Sequence, residues 1–152
     1  MKHSVLLAYQ WITGAADVSA GVLLYLAPAL TLRMAGLHTP LDAAPYVSYI
    51  GAFVLSVGLS CLYGALLLVQ GAAPERLETV WLLTAFARSA VAIYVIKGIL
   101  AGQLEAPWIG VAMFDAACVM VQGVGLRRRW LVPAQASSVR VRRAGIGFGE
   151  SR

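Results

Sequence analysis

Charged residues are scarce in this chain, and their scarcity argues against a water-soluble fold. Asp, Glu, Lys and Arg make up only 12% of the 152 residues, whereas apolar residues make up 60%. An average soluble domain carries about a quarter charged residues. A soluble fold of this length could not bury so much apolar surface. Length indicates one domain, and composition indicates an integral membrane protein.

Cysteine and histidine are also rare, which argues against a metal site or a disulfide framework. The two cysteines are Cys61 and Cys118, and the two histidines are His3 and His38. Their positions and spacing match no metal-binding pattern. Both cysteines fall inside apolar stretches, where we interpret them as small buried hydrophobic side chains. A redox pair between two helices is the alternative interpretation.

The apolar residues gather into four long blocks, at 5–30, 46–69, 77–100 and 107–126. Each block reaches the roughly 20 residues that a helix needs to cross about 30 Å of hydrocarbon. Alternating strands of about ten residues, the pattern of a membrane barrel, are absent from the sequence. The sequence therefore predicts an all-α, four-helix membrane bundle over residues 1–126, followed by a basic tail at 127–152.

Basic residues are distributed unevenly between the two sides of the predicted bundle. One side carries only Arg33 and Lys97, and the other carries Lys2, Arg76 and seven tail arginines. The positive-inside tendency therefore predicts that both termini are cytoplasmic, most simply in a bacterial inner membrane. A cleaved signal peptide is the alternative for the first 20 residues. Gln10 and Asp17 interrupt its apolar core, which favours one continuous helix.

The tail "RRRWLVPAQASSVRVRRAGIGFGESR" is rich in arginine, glycine and serine and shows little periodicity. This composition predicts disorder. We interpret the tail as a topology determinant, and attraction to anionic lipid is its candidate function. Nucleic acid is not an expected partner, because the chain offers no base-reading surface.

Small residues predict where the helices approach one another closely. Packing between membrane helices depends on such contacts, because lipid tails are as apolar as leucine. Gly14 and Gly21 lie seven residues apart in the first block. In the second block, small residues recur at intervals of four, at Ala52, Ser56, Ser60 and Gly64. We expect a neighbouring helix to pack against this second stripe.

Three charged residues fall in the middle of the predicted spans. Asp17, Arg88 and Asp115 each lie about 16 to 18 Å from the cytoplasmic ends of their helices, at about 1.5 Å per residue. A charge at that depth raises the free energy of insertion into the membrane, so it normally faces a partner inside the bundle. The planar guanidinium of Arg88 can pair with two carboxylates at once. The formal charge of minus one then requires a protonated aspartate, water or a visiting cation.

Further polar residues share the helical faces of these charges. The first helix places Gln10, Gly14 and Gly21 with Asp17, and the fourth places Val111, Cys118 and Gln122 with Asp115. Ser56, Ser60 and Thr84 complete the predicted polar interior. This polar core has two interpretations: a structural contact that fixes helix order, or a functional site. Such a site would be a pocket for a small amphipathic or anionic molecule, or a proton relay.

The stretch "WITGAADVSAGVLLYLAPALTLRMAGL", with Gly14, Gly21, Pro28 and Gly36, precedes three further spans, of which the third carries Arg88. Over residues 5–126 this arrangement resembles the DoxX-like group of small bacterial four-helix membrane proteins. The resemblance implies a four-helix membrane fold and a link to quinone-dependent sulfur oxidation or membrane redox balance. No diagnostic motif matches, so no catalytic residue is carried over.

Together these features predict a small membrane binding or accessory protein rather than an enzyme. The bilayer is its expected partner, and a second copy of the chain is a further candidate. No cofactor is predicted, although quinone or lipid would suit a pocket in the polar core. A quinone-linked redox subunit and a proton-coupled carrier are the alternatives. Four helices would need to dimerise to build the carrier's pathway.

Overall fold

The described part of the chain, residues 3–37 and 43–131 of a computed structural model, is helical and contains no strand. The prediction of an all-α chain is confirmed for these residues. The five α-helices, in chain order, are α1 His3–Leu26, α2 Pro28–Met34, α3 Ala44–Val69, α4 Pro74–Leu100 and α5 Ile109–Arg127. A short 3-10 turn, Ala106–Trp108, precedes α5.

Three helical segments are long and apolar enough to cross a membrane. They are α3, α4 and the segment Ala106–Arg127, which contains α5. With 24 residues, α1 has the length to span, but it is not among the three. Its polar residues Gln10, Thr13 and Asp17 lower its hydropathy, and all three are buried. The polar face of α1 is therefore covered by protein.

The first predicted block is not one continuous helix. The block 5–30 is divided, because α1 ends at Leu26 and α2 begins at Pro28. Proline has no N–H to donate and disfavours helical geometry at the residue before it. Ala27 accordingly adopts φ −139° and ψ 60°, outside the helical region. The other predicted spans differ from the observed helices by at most three residues at either end.

Glycines of α1 allow the backbone of α3 to approach closely. Gly14 faces Leu62 so tightly that an added Cβ would lie 2.7 Å from its Cδ2. Gly21, about two helical turns further along α1, faces the backbone of Leu55. The prediction that these two glycines form a packing surface agrees with this geometry. Side chains at either position would push the two helices apart.

Two glycines of α3 face α1 in return. A Cβ at Gly58 would lie 2.6 Å from the backbone nitrogen of Val18 and 2.8 Å from Cβ of Asp17. Gly51 similarly faces the backbone at Leu24 and Tyr25. The glycines of the two helices therefore interleave, and this close packing brings the carboxylate of Asp17 next to α3.

The predicted stripe of small residues on α3 is wrong, apart from Gly64. Ala52, Ser56 and Ser60 are exposed and only Gly64 is buried. Four residues turn a helix through more than a full circle, so an uninterrupted spacing of four drifts by about 40° per step. The packed face alternates its spacing instead, and the buried residues of α3 are Val47, Gly51, Gly58, Cys61, Gly64, Ala65 and Leu67.

Apolar clusters lie at both ends of the helices. Leu32, Leu37 and Val47 are buried together at one end. The other end holds a cluster of four buried side chains: Leu6, Leu77, Trp81 and Leu131. The polar residues of the helix interior lie between these two clusters along the helix axes.

Leu131 places the end of the folded domain five residues beyond the predicted boundary at residue 126. α5 continues to Arg127, and the turn after it brings Leu131 into the apolar cluster with Leu6 and Leu77. The tail was predicted to begin at residue 127, so its first five residues belong to the fold. Residues 132–152 lie outside the described part of the chain, as does the prediction of disorder there.

The glycine packing predicts opposite effects for one substitution at two sites. Gly58→Ala should destabilise the protein by about 1–3 kcal/mol, because the added methyl group overlaps α1. Gly123→Ala should be neutral or stabilising, because nothing lies within 4 Å of its Cβ position and alanine favours helix by about 1 kcal/mol. Thermal unfolding of both variants in detergent tests this, and equal shifts in one direction would contradict it.

Candidate functional site

The centre of the site is Arg88 of α4, which is only 3% exposed. Its Nη1 donates a hydrogen bond to Oδ1 of Asp115 on α5, at 2.6 Å. Its Nη2 donates to Oδ2 of Asp17 on α1. The structure thus joins the three charges that the sequence places in the middle of the predicted spans. We refer to Asp17, Arg88 and Asp115 as the ion layer.

A third helix, α3, also contacts Arg88. Sγ of Cys61 lies 3.9 Å from Nη2. The ring of Phe114 lies on another side, with its centroid 5.3 Å from Cζ, a distance that allows a cation–π interaction. Arg88 therefore contacts side chains from α1, α3 and α5. No single pair of helices could provide this environment.

A guanidinium suits this position better than an ammonium group would. Its planar fork presents separate N–H donors to two carboxylates, and it keeps its charge when buried. Both aspartates are buried as well, at 6% and 8% exposure. Removing one member of a buried ion pair leaves an uncompensated charge, which typically costs about 3–5 kcal/mol. The ion layer therefore makes correct helix placement energetically important.

A second polar contact lies one turn from the ion layer. Nε2 of Gln122 donates to Oγ1 of Thr84 at 2.8 Å, and Oγ1 donates in turn to the carbonyl of Val80 at 2.8 Å. Both side chains are buried. The prediction that Gln122 and Thr84 belong to the polar interior agrees with this contact, which joins α4 to α5.

Gln10 is also buried, but it has no such partner. Its side chain is 1% exposed, and neither amide atom makes a hydrogen bond to the described residues. A Cβ at Gly64 would collide with its Nε2, so Gly64 provides the space in which the amide lies. Gln10 therefore fits the interior by shape rather than by hydrogen bonding within this part of the chain.

The predicted inward positions of Ser56 and Ser60 are wrong. Both residues are exposed, and their hydroxyls donate to carbonyls of their own helix, at Phe53 (2.7 Å) and Ser56 (2.8 Å). The same rotation of about 40° per four residues places them at the α3–α4 boundary. Val111 is likewise 40% exposed, and Ala112 takes its place on the buried face of α5.

Ser56 and Ser60 instead line a groove between α3 and α4, which we call the α3–α4 groove. Its volume is about 200 Å³. The lining residues are mostly apolar with four hydroxyls, and they are Ser56, Val57, Ser60, Tyr63, Val80, Leu83, Thr84 and Ala87. None carries a charge. Thr84 belongs both to this groove and to the buried contact with Gln122.

Sequence reasoning missed several residues around the ion layer. Cys61 was interpreted as a buried hydrophobic side chain or one half of a redox pair, and its contact with Arg88 was not predicted. Its spacing of three from Gly58, on the packed face of α3, was an available signal. Phe114 had no such signal. Tyr9 donates to the carbonyl of Cys118 at 3.4 Å and packs edge-on against Trp81.

Comparisons with family models, curated proteins and solved structures find no match to this chain. No group of three or more His, Cys, Asp or Glu that could hold a metal occurs within the described ranges.

The ion layer predicts how substitutions of its members change the free energy of unfolding. Arg88→Met should destabilise by about 3–5 kcal/mol, because it leaves two buried carboxylates without their cation. The triple variant Asp17→Asn, Arg88→Met, Asp115→Asn should recover part of this loss, since no unpaired charge remains. Thermal unfolding in detergent measures both effects.

Lys97→Met is the control for removal of a cation, since Lys97 is exposed near the end of α4. Its effect should stay within about 0.5 kcal/mol. An Arg88→Met protein as stable as the parent, or a triple variant no more stable than Arg88→Met, would contradict a buried charge cluster.

The two buried glutamines should respond differently to methionine, which has a similar shape. Gln122→Met removes the hydrogen bond to Thr84 and should destabilise by about 1 kcal/mol. Gln10→Met removes two polar atoms that lack partners in the described chain, and should be neutral or stabilising. Equal destabilisation by both changes, measured by thermal unfolding, would show that Gln10 has a partner of its own.

Proposed function

We propose that the chain is a four-span membrane protein and that α1 is the fourth span. Three observations support this topology: the length of α1, its close packing along α3, and its delivery of Asp17 to a buried guanidinium. Its polar residues face protein, so lipid would meet its apolar face. Both termini would lie in the cytoplasm of a bacterial cell, following the positive-inside tendency.

In this proposal the ion layer fixes the positions of the spans relative to one another. Arg88 is held on several sides by side chains, and apolar clusters lie toward both ends of the helices. A proton-coupled carrier would need water to reach Asp17 or Asp115 from both faces. The tight packing around Arg88 favours a fixed, ordering role over transport.

We assign the binding role to the α3–α4 groove. This groove is the observation on which the functional proposal rests. It combines an apolar lining with hydroxyls of Ser56, Ser60 and Tyr63, and no charged residue lines it. Such a lining suits an apolar chain with a neutral polar head. We therefore assign the protein a binding or accessory function for a small amphipathic molecule taken from the bilayer.

A quinone-linked redox role is the second candidate. A quinone has an apolar tail and neutral carbonyl groups, so it matches the uncharged groove. Cys61, in contact with Arg88, and Cys118, one turn from Asp115, add two buried thiols to the interior. This candidate is also the activity that a DoxX-like membership would imply.

Mass spectrometry of small molecules retained after purification in mild detergent tests the binding role. The parent protein should retain an amphipathic molecule, and Ser60→Phe should lose most of it because the aromatic ring fills the groove. Ser19→Phe is the matched control, since Ser19 is an exposed serine of α1. Retention unchanged by Ser60→Phe would reject the groove as the site. A quinone among the retained molecules would favour the redox candidate.

A further inference from the structure

The last residue of α5 and the turn that follows it carry three consecutive arginines. The N–H of Arg129 donates to the carbonyl of Leu126 at 3.2 Å, and that of Trp130 donates to Gly125 at 3.0 Å. Arg129 adopts a φ of 51°, in the left-handed region that usually ends a helix of this type. Leu131 then anchors the turn in the apolar cluster.

These arginines are exposed and carry unbalanced charge. The structure gives Arg127, Arg128 and Arg129 no carboxylate within ion-pair distance among residues 3–37 and 43–131. The start of α4, at the same end of the helices, adds Arg76 against two glutamates, Glu75 and Glu78. At this end of the helices, the described arginines therefore outnumber the described acidic residues.

The height of the turn matches lipid headgroups if the proposed topology holds. Arg127 lies twelve residues after Asp115, or about 18 Å along the helix axis. The hydrocarbon core extends about 15 Å from its midplane, where the ion layer would lie. The guanidinium groups would therefore sit at the level of the phosphates.

Two of these arginines border an open pocket with both polar and apolar parts. Val124, Arg127 and Arg128 line this pocket at the end of α5. Two guanidinium groups can hold a phosphate through several charge-assisted hydrogen bonds. Val124, one turn nearer the membrane, offers an apolar contact for the start of an acyl chain.

We propose that Arg127 and Arg128, with Val124, bind the headgroup phosphate of an anionic phospholipid at the end of α5. Charge selects an anionic lipid over a zwitterionic one, whose own ammonium group would face the arginines. The site differs from the α3–α4 groove, and it rests on the proposed membrane topology but not on the groove's ligand.

Native mass spectrometry of the full chain, titrated with phosphatidylglycerol, tests this site. The double variant Arg127→Gln, Arg128→Gln should bind phosphatidylglycerol at least about tenfold more weakly than the parent. The variant Arg140→Gln, Arg142→Gln removes the same charge beyond residue 131 and should change binding by less than about threefold. Phosphatidylcholine should bind the parent more weakly than phosphatidylglycerol.

Three results would overturn the proposal. Equal losses in the two double variants would indicate general attraction to positive charge. Equal binding of phosphatidylcholine would remove the selectivity, and displacement of the lipid by inorganic phosphate would indicate a site for the free ion. Membrane fractionation and the melting temperature of each variant separate these outcomes from failure to insert or fold. Retention of the groove's ligand tests the binding role separately.

Discussion

A guanidinium buried among apolar helices needs negative partners, and this single electrostatic requirement organises the structure. Arg88 finds its partners on two different helices, Asp17 of α1 and Asp115 of α5. Because hydrocarbon offers no water to replace a lost partner, an arrangement that separates these groups carries a large penalty. The charges therefore select one order of helices from the many that apolar packing alone would allow.

Close backbone packing lets the ion layer form. Interleaved glycines such as Gly21 and Gly58 bring α1 against α3, and Asp17 lies directly at this contact. Larger side chains at the α1–α3 contact would move Asp17 away from Arg88. Small residues and charges thus act together: the glycines set the distance between helices, and the ion layer sets their register. The α3–α4 contact is looser, and the groove lies there.

Much of this arrangement could be predicted from sequence, because depth and charge are properties of position along the chain. Counting residues placed Asp17, Arg88 and Asp115 at one level, and the structure joins them. Helix rotation was harder to predict. The small residues of α3 offered two stripes, and the evenly spaced one, including Ser56, drifts out of the interface. The extent of the fold beyond residue 126 depended on Leu131 reaching a distant cluster, which no local pattern indicates.

Arg88 contacts both aspartates at once in this structure. Solid-state NMR in lipid bilayers measures this directly, by dipolar coupling between ¹⁵N-labelled arginine and the ¹³C-labelled carboxyl carbons of aspartate. Arg88→Lys and single Asp→Asn variants assign the signals. The structure predicts that both carboxyl carbons lie within about 4 Å of the Arg88 side-chain nitrogens. Coupling to only one of the two carboxyl carbons, or to neither, would contradict this arrangement.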